Sequence, residues 1–274
     1  MLLPDQPVLT SISSWTNATS TFRCVSWGLY HAFYFFYFYF IKTNNDWSIA
    51  FKNRFNVDSA YLHFARAFDT VSHHKLIFNL QSDGITGHLL AWIKAFLTNR
   101  LQHVQVGNCL SNLINVISGV IQGSVLGPIL FTIYINDISD FFTGSSVTVK
   151  LYADYAKLYS CRQCADDMHY LQLGLDFVYN CSLAWQLYLS VSKCNLLQLG
   201  RSLGTGSYTI NNINLPMFHK IRDLGILIDC EINFKEHIDN ITASANQCTF
   251  SIKKCFLSKE LHRLLKLLRY MCAN

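Results

Sequence analysis

A chain of 274 residues that is 51% hydrophobic and 14% charged has ample apolar surface for a packed core, which excludes an intrinsically disordered chain. Its formal net charge of +5 suits a polyanionic partner and equally an ordinary basic globular protein. Ten cysteines, nine of them scattered between Cys109 and Cys272, exclude a compact disulfide framework.

Nothing at Met1 to Thr21 reads as a secretory signal, since the stretch lacks a basic part followed by an apolar core. Residues 24–41 then form an aromatic run, Phe-Tyr-Phe-Phe-Tyr-Phe-Tyr-Phe at its heart. The run is about as long as a membrane helix, which takes ~20 apolar residues. Its tyrosines argue against a span, since buried hydroxyls are costly in hydrocarbon and Tyr belongs at the interface. Asn44-Asn-Asp46 marks a break, after which Asp46 is placed to N-cap a short helix through Phe51.

Organised structure is expected from there. Asp58 to Phe64 reads as a strand, followed by a turn at Ala65 to Val71. Ser72 is placed to cap a helix ending at Asp83-Gly84, and Thr86 opens another to Leu97, with Leu89, Leu90, Ile93 and Leu97 at helical spacing. Asn99 to Gly107 and Asn112 to Ser118 alternate as a strand pair. The run Ser118-Gly-Val-Ile-Gln122-Gly123-Ser-Val-Leu-Gly127-Pro128 precedes an apolar helix predicted over Ile129 to Phe141, with Pro128 in its first turn. Glycines before a helix allow close backbone approach to a phosphate or base, and they are also ordinary loop punctuation.

Val147 to Lys150 alternates as a strand, and Lys157-Leu-Tyr159 returns as a second, so Ala153-Asp154 sits at the tip of a hairpin and presents a carboxylate. Cys161-Arg-Gln-Cys164 has metal-type spacing, but no second pair or nearby His completes a zinc set, so the thiols read as free. Cys164 to Leu189 is expected to be helical, with Trp185 ending its core-facing part. Lys193 stands at a strand start, Asn211-Asn212 makes a hairpin turn, and Arg222 to Ile228 reads as one strand. His237 to Leu268 is largely helical and basic toward its end, through Lys253, Lys254, Lys259, His262, Arg263, Lys266 and Arg269.

Several of these runs carry a resemblance. Tyr152-Ala-Asp154-Tyr155 resembles the Tyr-Ala-Asp-Asp box of reverse transcriptases of LINE-class, jockey-like retrotransposons, with Tyr155 in place of the second Asp. Ala67-Phe68-Asp69-Thr-Val-Ser-His73 resembles the first polymerase motif of that family, and the Gln122-Gly123 run with Tyr134-Ile-Asn-Asp137 resembles the second. The family's first metal-binding Asp lies six residues before Asp69, which is His63 here. Asp58 and Asp69 are the neighbouring carboxylates; Asp58, five residues from His63, faces the other side of a strand, and Asp69 lies past the turn.

The resemblance implies an α+β reverse-transcriptase palm, a small antiparallel sheet with helices packed on one face, partial fingers and a truncated thumb. Residues 1–45 would then be an atypical aromatic-rich segment, 46–230 the palm and fingers, and 231–274 the helical start of a thumb. It further implies RNA-directed DNA polymerase chemistry with two Mg²⁺ ions, an RNA template, a DNA primer and dNTP. In those roles Asp154 would be the metal ligand, His63 and Tyr155 the replaced ligand positions, Lys193 a general acid or charge clamp, and Phe68, Gln122 and Gly123 the nucleotide and template pocket. Three function classes stay open: a polymerase by descent impaired at its metal seat, a non-catalytic RNA- or DNA-binding remnant, and a membrane-associated protein acting through residues 24–41. An intracellular location is expected.

Overall fold

The computed structural model describes residues 37–163, 166–200 and 206–255. Most of the aromatic run, Cys164 and the basic residues from Lys259 to Arg269 lie outside the described residues. Among the described residues no helix is long and apolar enough to cross a membrane. The chain divides into two compact units, Met1–Asn45 and Asp46–Asn274.

In the first unit the described residues begin with a π-helical turn, Tyr37–Ile41, which runs directly into the helix Lys42–Lys52. Asn44 Nδ2 donates to the Phe40 carbonyl at 2.8 Å, so Asn44 and Asn45 do not interrupt the chain. Asp46 is therefore inside a helix rather than capping one, and its carboxylate accepts the Tyr159 hydroxyl at 2.6 Å.

The second unit is built on β1 (Asn56–His63), a strand buried along almost its whole length. After it come the helices His73–Ser82 and Gly87–Leu97. Ser72 holds the expected position before the first of them, but its side chain makes no cap; its backbone instead bridges to Ser118. In the second helix Ile93 and Leu97 are buried and Leu89 is exposed, so the apolar stripe is narrower than its spacing suggested. A two-stranded ribbon follows: β2 (Arg100–Gln102) pairs with β5 (Ile114–Val116), and β3 (Gln105–Val106) with β4 (Cys109–Leu110) across Gly107-Asn108.

The next helix spans Leu126–Ile135, three residues earlier at its start than predicted, and breaks at Asn136 before a short turn, Asp137–Asp140. Ser124 Oγ accepts the Gly127 N–H at 2.9 Å, which satisfies a donor that the helix start leaves unpaired. β6 (Val147–Tyr152) and β7 (Tyr155–Arg162) form the expected hairpin. The helix Asp166–Ala184 then leads to a short 3-10 turn, Val191–Lys193, and to β8 (Asn195–Leu199). Asn211 and Asn212, both at positive φ, close the hairpin of β9 (Thr209–Ile210) and β10 (Ile213–Asn214). β11 (Met217–Phe218) follows, and then β12 (Lys220–Asp223) and β13 (Ile226–Asp229) form a hairpin where one strand was expected. The described chain ends in the helix Lys235–Cys255.

Five strands make the main sheet in the order β11-β8-β1-β7-β6. β1 pairs antiparallel with both β7 and β8, and only β11 runs parallel to its neighbour. Directly paired residues share a face, and the two faces differ in chemistry. Ala60, Leu62, Ala156, Leu158 and Leu196 point into an apolar core with Leu171, Leu175 and Val178 of the helix Asp166–Ala184 and Leu130, Phe131 and Tyr134 of the helix before the sheet hairpin. Burying each Leu stabilises the fold by roughly 1.5–3 kcal/mol. Gly174 lets the long helix lie close: a Cβ there would stand 3.0 Å from Phe142 and 3.6 Å from Leu158. The opposite face carries Ser59, Tyr61 and His63 from β1, paired with Tyr159, Lys157 and Tyr155 from β7. This is the α+β layering expected, with helices packed behind a small sheet.

Candidate functional site

The β6–β7 connection is two residues, Ala153 and Asp154, which is the shortest common link between antiparallel strands. Ala153 adopts φ +49°, and the Asp154 carbonyl accepts the Phe64 N–H at 2.9 Å. The hairpin tip is thereby pinned to the end of β1, which brings His63 beside it. His63 Nε2 lies 3.1 Å from Asp154 Oδ2. The His63 ring meets the Tyr155 ring edge-to-face, with centroids 4.9 Å apart. The side chains of His63 and Asp154 are 17% and 30% exposed, and Tyr155 is 42% exposed, so the cluster faces solvent. His63 Nδ1 points inward and is buried without a hydrogen-bond partner.

Two further segments frame this tip. The Ser190 N–H donates to the His63 carbonyl at 2.8 Å, which holds the 3-10 turn with exposed Lys193 alongside β1. On the other side, β1 runs through Arg66, at φ +50°, into the turn Ala67–Thr70. Phe68 is half-buried there and stacks on Phe131 at 4.5 Å. The glycine-rich loop is sewn onto this turn. Val120 N–H donates to the Phe68 carbonyl at 2.7 Å, Ser118 Oγ to the Asp69 carbonyl at 2.9 Å, and Gln122 Nε2 to Asp69 Oδ1 at 2.8 Å. Gly119, at φ +90°, allows the approach, since a Cβ would stand 2.9 Å from both the Phe68 and the Asp69 carbonyl oxygens. Gln122 and Gly123 are on the rim, and Gly123, at φ +81°, has open space where a side chain would be.

The fold thus collects His63, Asp154 and Tyr155 at one tip and puts Phe68 and Gln122 on one sewn-together rim. Asp69, set aside in the sequence because it lies past the turn, is the residue that orients Gln122; 53 residues separate the two, and no local pattern links them. Asp58 lies on the helix-packed face, where it accepts the Tyr208 hydroxyl at 2.6 Å and faces Arg162 at 3.5 Å. Burial raises the Asp58 pKa above the usual carboxylate value, against the lowering effects of Tyr208 and Arg162. It also raises that of Tyr208, and the bonded Asp58 adds to the rise.

Among the described residues no group of three His, Cys, Asp or Glu side chains is placed to hold a metal ion. The donor set at the tip does not fit a magnesium pair. Mg²⁺ takes oxygen ligands in octahedral geometry, whereas the tip offers one carboxylate, one imidazole and one phenol, and the imidazole already engages a carboxylate oxygen.

Known proteins share both the sequence and the fold. The family model described as "Reverse transcriptase (RNA-dependent DNA polymerase)" matches residues 59–255. The RNA-directed DNA polymerase from mobile element jockey of Drosophila funebris is 29% identical over 193 residues, covering 68% of this chain and 21% of the relative. The probable RNA-directed DNA polymerase from transposon X-element of Drosophila melanogaster is 28% identical over 192 residues, covering 67% of this chain and 21% of the relative. The chain therefore spans about a fifth of the length of these curated relatives. Among solved structures, a Candida tropicalis telomerase in complex with a fragment of telomeric RNA matches with a TM-score of 0.50 at 12% identity, over 83% of this chain and 41% of that one. Apo telomerase from the same organism, truncated from its C-terminal domain, also gives 0.50 at 11% identity, over 69% of this chain and 37% of that one. At such identities the likeness is one of fold, and that fold is the palm. With a family model spanning residues 59–255 and jockey and X-element polymerases as relatives, the chain belongs to the reverse transcriptase (RNA-dependent DNA polymerase) family, as a non-LTR, LINE-type reverse transcriptase domain.

Proposed function

We propose that this chain is a polymerase palm by descent that keeps a polynucleotide-binding surface and has lost most of its nucleotidyl-transfer activity. The observation that carries the reading is the 3.1 Å contact between His63 and Asp154, with Tyr155 packed on the same imidazole. In the family's chemistry two Mg²⁺ ions hold the attacking and leaving oxygens. Their +4 charge needs a cluster of carboxylates, and at this tip one carboxylate remains. Taking the imidazole as neutral and the phenol as protonated, the formal charge at the three positions is −1 rather than −3. His63 also competes with any hard cation for Asp154.

What survives is the means to bind and orient. Phe68, stacked on Phe131, offers a bulky floor under a sugar, and a group of that size excludes a 2′-hydroxyl by occupying its space. Gln122, tethered through its amide nitrogen to Asp69, is left with its carbonyl oxygen for a nucleotide or template donor, while Gly123 leaves room for close approach. Lys193 adds a cation on the neighbouring turn, suited to a phosphate. An RNA template and a DNA primer are the polyanions this reading requires, and dNTP the small ligand.

Primer extension on an RNA template with dNTP, in Mg²⁺ and separately in Mn²⁺, tests the loss of chemistry. The expected result is no template-dependent incorporation above background; incorporation in either metal overturns it. A gel shift with an RNA–DNA hybrid tests the binding: affinity should be measurable at low salt and fall steeply as salt rises, because phosphate contacts release counterions. A chain that shifts no nucleic acid at low salt overturns the binding reading.

A further inference from the structure

The two-stranded ribbon between the helix Gly87–Leu97 and the glycine-rich loop is exposed along nearly its whole length. It runs from β2–β5 at its base to β3–β4 at its end. Between the two the Ser111 N–H donates to the Val104 carbonyl at 2.9 Å, and Ser111 Oγ accepts the Val104 N–H at 2.9 Å. Among the described residues these four strands pair only with one another. The surface they present is apolar: Val104, Val106, Leu110, Leu113, Ile114 and Ile117 are each between 59% and 83% exposed. It is also without charge. Residues 101–136 include no Asp, Glu, Lys or Arg, and His103 is the one residue there that can become a cation.

Two strands alone are at best marginally stable in water, and a further strand or a cover over an apolar face is what stabilises them. Sheet edges left in solvent are ordinarily guarded by lysine, by other charges or by proline, and residues 101–117 contain none of these. Fully burying a Val, Leu or Ile side chain removes roughly 60–120 Å² of apolar surface from water, so the exposed parts of the six come to roughly 250–500 Å². One side of a standard protein interface buries about 800 Å², of which about 450 Å² is apolar. The ribbon alone therefore supplies the apolar share of one side of such an interface.

We propose that the ribbon of residues 100–116 is a self-association surface, on which a second copy of this chain seats its own ribbon across a two-fold axis. The missing charge selects this occupant. In a two-fold contact the residues near the axis meet their own counterparts, so a charged patch would face like charge, whereas an uncharged apolar one meets no such penalty. Arg100 stands at the ribbon's base and Lys94 in the helix before it, where the polar rim of such a contact belongs. A polynucleotide is the poorer fit, because exposed aliphatic side chains offer neither cations for phosphates nor rings for bases. Self-association here is independent of the nucleic-acid reading above.

The test uses the full chain as wild type, Val106→Lys, Ile114→Lys and, as a control, Phe78→Lys. Phe78 is an exposed aromatic on the helix His73–Ser82, outside the ribbon. Sedimentation velocity over a roughly hundredfold dilution reads the mass, and amide exchange over the same range reads residues 100–116. The wild type should sediment at twice the 31.4 kDa of one chain and should do so at high salt too, where phosphate contacts fail. Val106→Lys and Ile114→Lys should each raise the dissociation constant by roughly a hundredfold or more, since each removes two buried aliphatic groups from the pair and brings two ammoniums together. Phe78→Lys should leave the constant unchanged. Ribbon protection in the wild type should fall on dilution in step with the dimer. All three substituted side chains are exposed in the single chain, so its circular dichroism spectrum should stay that of the wild type. A wild type that keeps the mass of one chain overturns the proposal, whether its ribbon exchanges freely or is protected at every dilution; the second result assigns the cover to another segment of the same chain. Species larger than a pair overturn the two-fold closure. A dimer that resists both ribbon lysines, or that Phe78→Lys dissolves equally, puts the contact elsewhere and overturns the proposal as well.

Discussion

Two polar clusters lie on one face of one sheet, a single pair of residues apart, and they obey different rules. At the tip, His63, Asp154 and Tyr155 face solvent, and their contact is a short polar pairing in water's reach. One step inward, Lys157 and Asp223 are sealed from water under Trp47 and Tyr61. Exposed pairs contribute little to stability and so leave a site free to change its chemistry. A sealed pair is bound to its partner, because losing either member leaves an uncompensated charge. The tip can therefore change its donor groups at small cost while the framework next to it is tightly constrained.

The sharpest way to break this contrast is to remove one member of the sealed pair. Lys157→Met should cost about 3–5 kcal/mol in denaturant unfolding, and the double variant with Asp223→Leu should recover most of it. A loss near zero in the single variant would make the two clusters alike. Next in size is the effect of placing carboxylates at the tip. His63→Asp with Tyr155→Asp should raise Mn²⁺ affinity, read by calorimetry, by roughly 2 kcal/mol per added carboxylate even at the dielectric constant of water. Removing the metal with chelator should then lower the melting temperature of that variant and leave the parent unmoved.

A third measurement concerns Asp58, on the helix-packed face. Its folded-state pKa is raised, so the folded chain holds its proton more tightly than the unfolded chain does. The stability this supplies is complete below the unfolded pKa of about 4 and is lost as pH rises through the raised value. Each tenfold gain in proton affinity on folding corresponds to about 1.4 kcal/mol. Asp58→Asn should flatten that stretch of the stability–pH curve. The smallest effect is expected back at the tip, where Asp154→Ala should change unfolding free energy by no more than about 1 kcal/mol.

Local chemistry was readable along the chain wherever it decided the structure. Alternation gave β6 and β7, and Asn211-Asn212 gave its hairpin because both residues tolerate positive φ. The resemblance set His63 and Tyr155 among the metal positions, but the register that pairs them across β1 and β7, and the turn of the imidazole onto Asp154, are long-range outcomes with no local signal. Where the structure differs, either a longer-range partner outweighs a local rule or a local turn goes unrecognised. Asp46 looked like a cap and instead serves Tyr159, 113 residues away. Leu224 looked like a strand residue and sits at φ +46° beside Gly225, which folds one expected strand into β12 and β13. Lys157 and Asp223 are 66 residues apart, and nothing near either one announces the other.

Gly119 shows how much of the rim depends on an atom that is absent. With hydrogen alone on its α-carbon, the loop can press against two carbonyl oxygens and deliver Gln122 to Asp69. A methyl group at that position would act as a wedge, prising the loop away and disconnecting Gln122 while leaving every polar group of the rim in the sequence. The rim is in this sense hung from a hinge pin with no side chain, and a change there would disable it without touching any residue that meets a ligand.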